Sequence, residues 1–192
     1  MLMFLRFAAQ FAICAALLAI VGMAGLFAMT PPVESPPLVS SAGVPLDKEA
    51  SAQLIDEIFQ AVRDDDAAKV RQFLTDGHSP NVRSPRGDTL LIVAAYRDSG
   101  DVVAELLKTD GVDLDAQNRA GLTAVSGAAF KGHDETLKAL ISAGANVNST
   151  SPTQQTAIMF AKMAGKTSTV KILEEAGARE SSGSAPASPA AK

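Results

Sequence analysis

Three threonines set the terms for this chain. Thr89, Thr123 and Thr156 are spaced by 34 and 33 residues, Leu106, Leu140 and Leu173 keep the same intervals, and Gly111, Gly144 and Gly177 lie 33 apart. A fixed period of this length marks a stacked-repeat solenoid, each unit of which is one supersecondary element. The unit is clearest over 121–148, GLTAVSGAAFKGHDETLKALISAGANVN. An Ala-rich helical run leads to Lys131-Gly132-His133 and then to a second run. There Leu137, Leu140 and Ile141 share one helix face, being three and four residues apart. Gly144 stands just past that helix, where a left-handed cap is cheapest without a Cβ. One helix pair of this size cannot cover its own apolar faces, so it needs neighbours.

The phrases Thr123–His133 and Ser142–Asn148 resemble the ankyrin repeat, whose pattern runs G-x-T-P-L-H-x-A-A-x-x-G-H and then V-x-x-L-L-x-x-G-A-D-V-N. The resemblance covers about residues 50–180. It implies an all-α solenoid of about four helix-turn-helix repeats with short hairpin fingers. It also implies a non-catalytic protein-protein interaction module that needs no cofactor and binds through its concave face and hairpin tips. Carried over by position, the finger tips are Pro85, Arg86 and Asp88, then Arg119, Ala120 and Leu122, then Pro152, Thr153 and Gln155. The residues just after the Ala pair are Tyr96 and Arg97, Phe130 and Lys131, and Met163 and Ala164. Candidate partner contacts are therefore Arg86, Asp88, Tyr96, Arg97, Arg119, Leu122, Phe130, Lys131, Gln155 and Met163. Of these, Tyr96, Phe130 and Met163 fall in register and would form an apolar ladder with the Arg side chains beside it, a composition typical of interface hot spots. The plainer reading is that they pack between adjacent first helices.

The copies differ in instructive ways. Residues 48–83 form a divergent first repeat, with Leu54, Ile55, Ile58, Ala61 and Val62 suited to one helix and Val70, Phe73 and Leu74 to the next. Asp64-Asp65-Asp66 falls in its inter-helix turn, where capping of the second helix is expected, since consecutive residues cannot all face one metal ion. Residues 84–118 and 119–151 are the central repeats. In the last, 152–180, Gln154 stands at the turn glycine, Lys162 at the second Ala and Glu174 at the second Leu, the polar substitutions of an end cap. Gly127 interrupts the first helix of the best copy, aligned with Val93 and Phe160. A glycine there costs ~1 kcal/mol in helix propensity relative to Ala. It predicts that a larger neighbour such as Phe160 leans into the space, so that Gly127→Ala overpacks.

Ahead of the repeats, 7–29 carries no charge and follows Arg6. A spanning helix needs ~20 apolar residues and a signal peptide's apolar region about 7–15. On length, 1–29 reads as an uncleaved transmembrane anchor; cleavage after Ala24 or Ala28 as a secretory signal is the alternative. Arg6 before the span and Glu34 and Asp47 after it place the repeats outside the cytoplasm. The expectation is the inner membrane of a bacterial cell with the repeats in the periplasm, or a soluble periplasmic or secreted form after cleavage. Residues 30–47, with Pro31, Pro32, Pro36, Pro37 and Pro45, read as a semi-extended spacer, and 181–192 as a low-complexity disordered tail.

Chemistry is sparse. The only cysteine, Cys14, lies in the apolar segment, so the repeats hold no disulfide. A net charge of −4 gives no reason to expect nucleic-acid binding. His78 and His133 lack the spaced partners that a metal site or general base requires. Asp113, Asp115, Asn146 and Asn148 are expected to bond their own turns rather than calcium. The reading is a monomeric repeat domain that is not an enzyme, binding a protein partner. The alternatives are a structural envelope scaffold or spacer without a single partner, and a small-ligand-processing enzyme.

Overall fold

The structure is a computed structural model that describes residues 48–180. The expectations for 1–29, 30–47 and 181–192 lie outside the described residues. Eight helices, and no strand, are found among the described residues, in four pairs. They are α1 (Lys48–Arg63) with α2 (Ala67–Thr75), α3 (Leu90–Arg97) with α4 (Gly100–Leu107), α5 (Ala124–Lys131) with α6 (Asp134–Ser142), and α7 (Ala157–Met163) with α8 (Thr167–Glu175). No helix among the described residues is long and apolar enough to cross a membrane.

The periodic threonines are helix starts. The Thr89 hydroxyl accepts from the Ile92 N–H at 3.3 Å. At Thr123 the hydroxyl accepts from the Ser126 N–H at 3.2 Å and the Ser126 hydroxyl accepts from the Thr123 N–H at 2.9 Å, closing a reciprocal cap. Thr156 takes the same extended backbone conformation, but its buried hydroxyl has no hydrogen-bond partner.

First helices stack on first helices and second on second, and the first-helix layer is the more closely packed. Its side chains are small where it touches: Ala94, Ala95, Ala124, Ala128, Ala129, Ala157 and Ala161 are all buried. The second layer brings Val102, Val103, Leu106, Leu137, Leu140 and Leu173 into the same continuous core. In the first repeat, Ile58, Ala61, Val62, Val70 and Phe73 are buried as the pattern predicts, with Leu54, Ile55 and Leu74 packed at the edge. Phe59, also buried, was not legible from the period.

The turn between the two helices of each repeat passes through one left-handed residue: Asp65 (φ 56°), Asp98 (φ 65°), Gly132 (φ 79°) and Gly165 (φ 68°). Where that residue is aspartate, its carboxylate holds the next repeat. Asp65 accepts from the Val102 N–H at 3.0 Å, and Asp98 from the Thr136 hydroxyl at 2.8 Å. Asp66 caps its own helix, accepting from the Lys69 N–H at 3.0 Å. The acidic triplet thus caps two helices, one of them in the neighbouring repeat. At the far end, Lys162 pairs with Glu180 at 2.6 Å and lies 3.9 Å from Glu174. That ion pair replaces apolar burial where no further repeat follows among the described residues.

Gly127 corrects one expectation. A Cβ at this position would meet the Tyr96 Cβ at 3.7 Å, Tyr96 Cδ2 at 3.8 Å and the Ile92 carbonyl oxygen at 3.9 Å, all ordinary van der Waals contacts. The neighbour is Tyr96 of the preceding repeat, not Phe160, and the space accepts a methyl group. Gly127→Ala should therefore stabilise the domain by ~1 kcal/mol through helix propensity, raising the melting temperature by about 4 °C. A lower melting temperature in a thermal scan would mean that Tyr96 cannot accommodate the methyl.

The threonine caps give a paired comparison. Thr123→Val should cost ~1 kcal/mol, the usual worth of a side-chain cap. Thr156→Val, which keeps the shape and removes a hydroxyl without a partner, should be neutral or mildly stabilising. Urea denaturation of the two variants checks the difference, and equal losses would show that the Thr156 hydroxyl is bonded after all.

Candidate protein-binding surface

The fingers are built from a repeated turn. Ser84, Asn118 and Ser151 each accept with a side-chain oxygen from the backbone N–H four residues on, at Asp88 (3.1 Å), Leu122 (2.9 Å) and Gln155 (3.1 Å). The backbone N–H groups of Gly87, Gly121 and Gln154 donate to the carbonyls of the same three residues at 2.8, 2.9 and 2.8 Å. All three donors have positive φ. At Gly121 only glycine fits, since a Cβ would lie 2.1 Å from Pro152 Cδ and 3.0 Å from Ser151 Cα of the next finger. Gln154 keeps the same turn at φ 59°. Its side chain has room because no further finger packs on it among the described residues.

Adjacent fingers are joined by polar contacts. Arg83 Nη1 donates to the carbonyls of Gly87 and Gln117, both at 2.8 Å, and Gln117 Nε2 donates to the Thr150 carbonyl at 3.1 Å. The Arg119 N–H donates to the Arg86 carbonyl at 3.4 Å. Asp88, a candidate contact, is half-buried and accepts from Asn118 Nδ2 at 2.7 Å.

Behind the fingers runs a second track. Asn81 Oδ1 accepts from the Asp113 N–H at 2.8 Å, Asp115 Oδ1 from the Asn146 N–H at 2.8 Å, and Asn148 Oδ1 from the Arg179 N–H at 2.7 Å. Asp113 and Asn146 do bond their own turns, accepting from the N–H two residues on at 3.1 and 2.9 Å. For Asp115 and Asn148 the expectation of purely local bonding is overturned, because their side chains reach the next repeat. Asn81 went unnoticed, although its spacing of 34 from Asp115 was a usable signal.

The ends of the first helices carry the apolar row. Tyr96, Phe130 and Met163 are 42%, 42% and 67% exposed, and they are the exposed large hydrophobic residues among those described. Tyr96 lies over Gly127, with the Lys131 ammonium 5.2 Å from its ring centroid. His133 Nε2 is 3.2 Å from the Tyr96 carbonyl oxygen and Nδ1 is 3.5 Å from Asp98 Oδ2, so this imidazole ties the row to the turn beneath it. Gln155 Nε2 reaches Met163 Sδ at 3.8 Å, which puts finger base and helix end on one face. Arg86, Arg97, Arg119 and Lys131 are exposed, and Leu122 and Gln155 half-buried.

The chemistry here is that of contact surfaces. His78 is buried and stacked on Phe73, with ring centroids 4.4 Å apart, and burial holds its pKa below the usual histidine value. No group of three or more His, Cys, Asp or Glu side chains that could hold a metal occurs among the described residues.

A family profile described as "Ankyrin repeats (3 copies)" matches residues 58–151. Residues 58–151 belong to the ankyrin-repeat family. The fourth ankyrin pair, α7 with α8, lies beyond that match and repeats its geometry. Alpha-latrocrustotoxin-Lt1a of Latrodectus tredecimguttatus is 29% identical over 104 residues, which are 54% of this chain and 7% of the toxin's length. The likeness is thus to one short stretch of that protein. Ankyrin repeats are in general protein-protein interaction modules.

Proposed function

We propose that this chain is a non-catalytic binding module for one partner protein, exported and held at a bacterial inner membrane by its N-terminal apolar segment. The partner is gripped across the first-helix ends and the finger tips. The observation that supports the binding reading is the row Tyr96, Phe130 and Met163, three large apolar side chains left open to solvent in register. An exposed aromatic and Met row beside arginines has the composition of interface hot spots. The export reading is carried by the uncharged stretch 7–29 following Arg6.

Replacing the row in the full-length chain, as Tyr96→Ser with Phe130→Gln and Met163→Gln, should abolish cross-linked capture of the partner from native membranes. Melting should stay near the parent value, because these side chains are outside the core. A large fall in melting temperature would assign the row to packing between first helices. A folded triple variant with undiminished capture would favour the spacer reading.

For the N-terminus, the expected result is full-length chain retained in the membrane pellet after salt and carbonate washes. Intact mass should show the initial residues still attached. A soluble chain beginning near Gly25 or Met29 would replace the anchor with a cleaved signal and leave export standing.

A further inference from the structure

Four exposed cations lie beside the apolar row. Arg97 and Lys131 directly follow its first two members, and Arg86 and Arg119 stand on two adjacent fingers joined through the Arg119 N–H and the Arg86 carbonyl. None of these four cations has a carboxylate within ion-pair distance among the described residues. Three cations on the second helices contrast with them. Arg71 meets Glu105 at 2.8 Å, Lys138 meets Glu135 at 2.7 Å, and Lys69 lies 3.9 Å from Glu57. Two nearby carboxylates make bonds within the stack: Asp88 accepts from Asn118 at 2.7 Å, and Asp98 accepts from Thr136 at 2.8 Å with its second oxygen 3.5 Å from His133 Nδ1. Among the described residues, unpaired positive charge thus stands beside the exposed apolar row, in a chain whose net charge is −4.

We propose that the partner presents an acidic peptide segment with apolar anchors, seated along Tyr96, Phe130 and Met163 with its carboxylates against the flanking cations. The proposal rests on the binding-module reading and specifies the partner's chemistry. Stacked helices lie about 8–10 Å apart, and an extended polyproline II backbone advances ~3.1 Å per residue with about three residues per turn. Every third side chain of an extended segment can then meet successive members of the row, leaving the residues between to reach the cations. The Lys131 ammonium, 5.2 Å from the Tyr96 ring centroid, is placed where an apolar anchor on that ring would bring a neighbouring carboxylate. Met163 suits an aliphatic or aromatic side chain better than a phosphate, and the overall negative charge works against a long polyanion. A peptide is thus favoured over nucleic acid or an anionic membrane.

The test is an unbiased selection. A random library of displayed 16-residue peptides, longer than such a stack needs in extended form, is panned against the full-length chain in nonionic detergent. Enriched peptides should carry net negative charge with apolar residues recurring at about every third position. Arg97→Glu with Lys131→Glu should weaken a selected peptide by about tenfold or more, with the greatest loss at low salt. The same double variant should recover affinity for that peptide with its acidic residues changed to Lys. This swap separates recognition from misfolding, because an unfolded variant recovers nothing. Three results would overturn the proposal: enrichment of neutral or basic peptides, no enrichment, or tighter binding to single-stranded DNA or phosphatidylglycerol vesicles than to any acidic peptide. Neutral peptides whose binding is lost on replacing Tyr96, Phe130 and Met163 would sink the acidic partner and leave the binding module intact.

Discussion

Close approach of the first helices is the constraint on which the rest of this domain depends. Their buried residues include many alanines, with Gly127 the smallest of all, beside larger ones such as Leu90, Leu91 and Ile158. Helix axes separated by small side chains lie nearer than those separated by Leu and Val, so the first-helix side is drawn together relative to the second. Large side chains are buried in the layer too, Phe59 of α1 among them. At the helix ends, where the layer stops, Tyr96, Phe130 and Met163 turn out to solvent. The exposed row thus lies at the margin of the packing that holds the stack.

Hydrophobic burial alone would leave the register between repeats loose, because apolar contacts are non-directional. Here it is fixed by polar contacts that recur with the repeat. Asn81, Asp115 and Asn148 each bind the backbone of the next unit, and Asp65, Asp98 and Asp134 each hold the second helix that follows. Each such bond is worth about 0.5–1.5 kcal/mol, and a slipped repeat forfeits the whole set. Burial beneath the network has a charge effect as well. The Asp134 carboxyl sits below its usual pKa because the hydroxyls of Thr169 and Ser168 bond its charged form, outweighing the opposing effect of burial.

Much of this could be read from the period. The four helix pairs, the threonine caps, the buried Leu106, Leu140 and Leu173, and the position of the Tyr96, Phe130 and Met163 row all follow from residues in phase. What failed was anything that depended on which repeat supplies the neighbour. Gly127 signals missing volume, but a sequence does not say whether the following or the preceding unit fills it; it is the preceding one, through Tyr96. Asp115 and Asn148 look like turn residues bonding themselves because Asx side chains usually do so, yet a stacked neighbour offers a backbone N–H at the same reach. Gln154 replaces the turn glycine, yet it keeps the left-handed turn at φ 59°. The N-terminal segment is legible only as composition.

Two kinds of position therefore coexist in each repeat. Those that build the stack are the same or nearly so from copy to copy: threonine before the first helix, alanines within it, Asx at the finger base. Those facing outward beside them vary, from Asp88 to Leu122 to Gln155 at one offset and from Arg97 to Lys131 to Ala164 at another. The contacts fixing the fold engage Asp88, through Asn118, but not Arg97, which is exposed. Side chains spaced at one helix-packing distance along a rigid face, and free to differ, can match an irregular partner without disturbing the core. Tyr96 lies between the groups, covering Gly127 with one part of its side chain and exposing the rest.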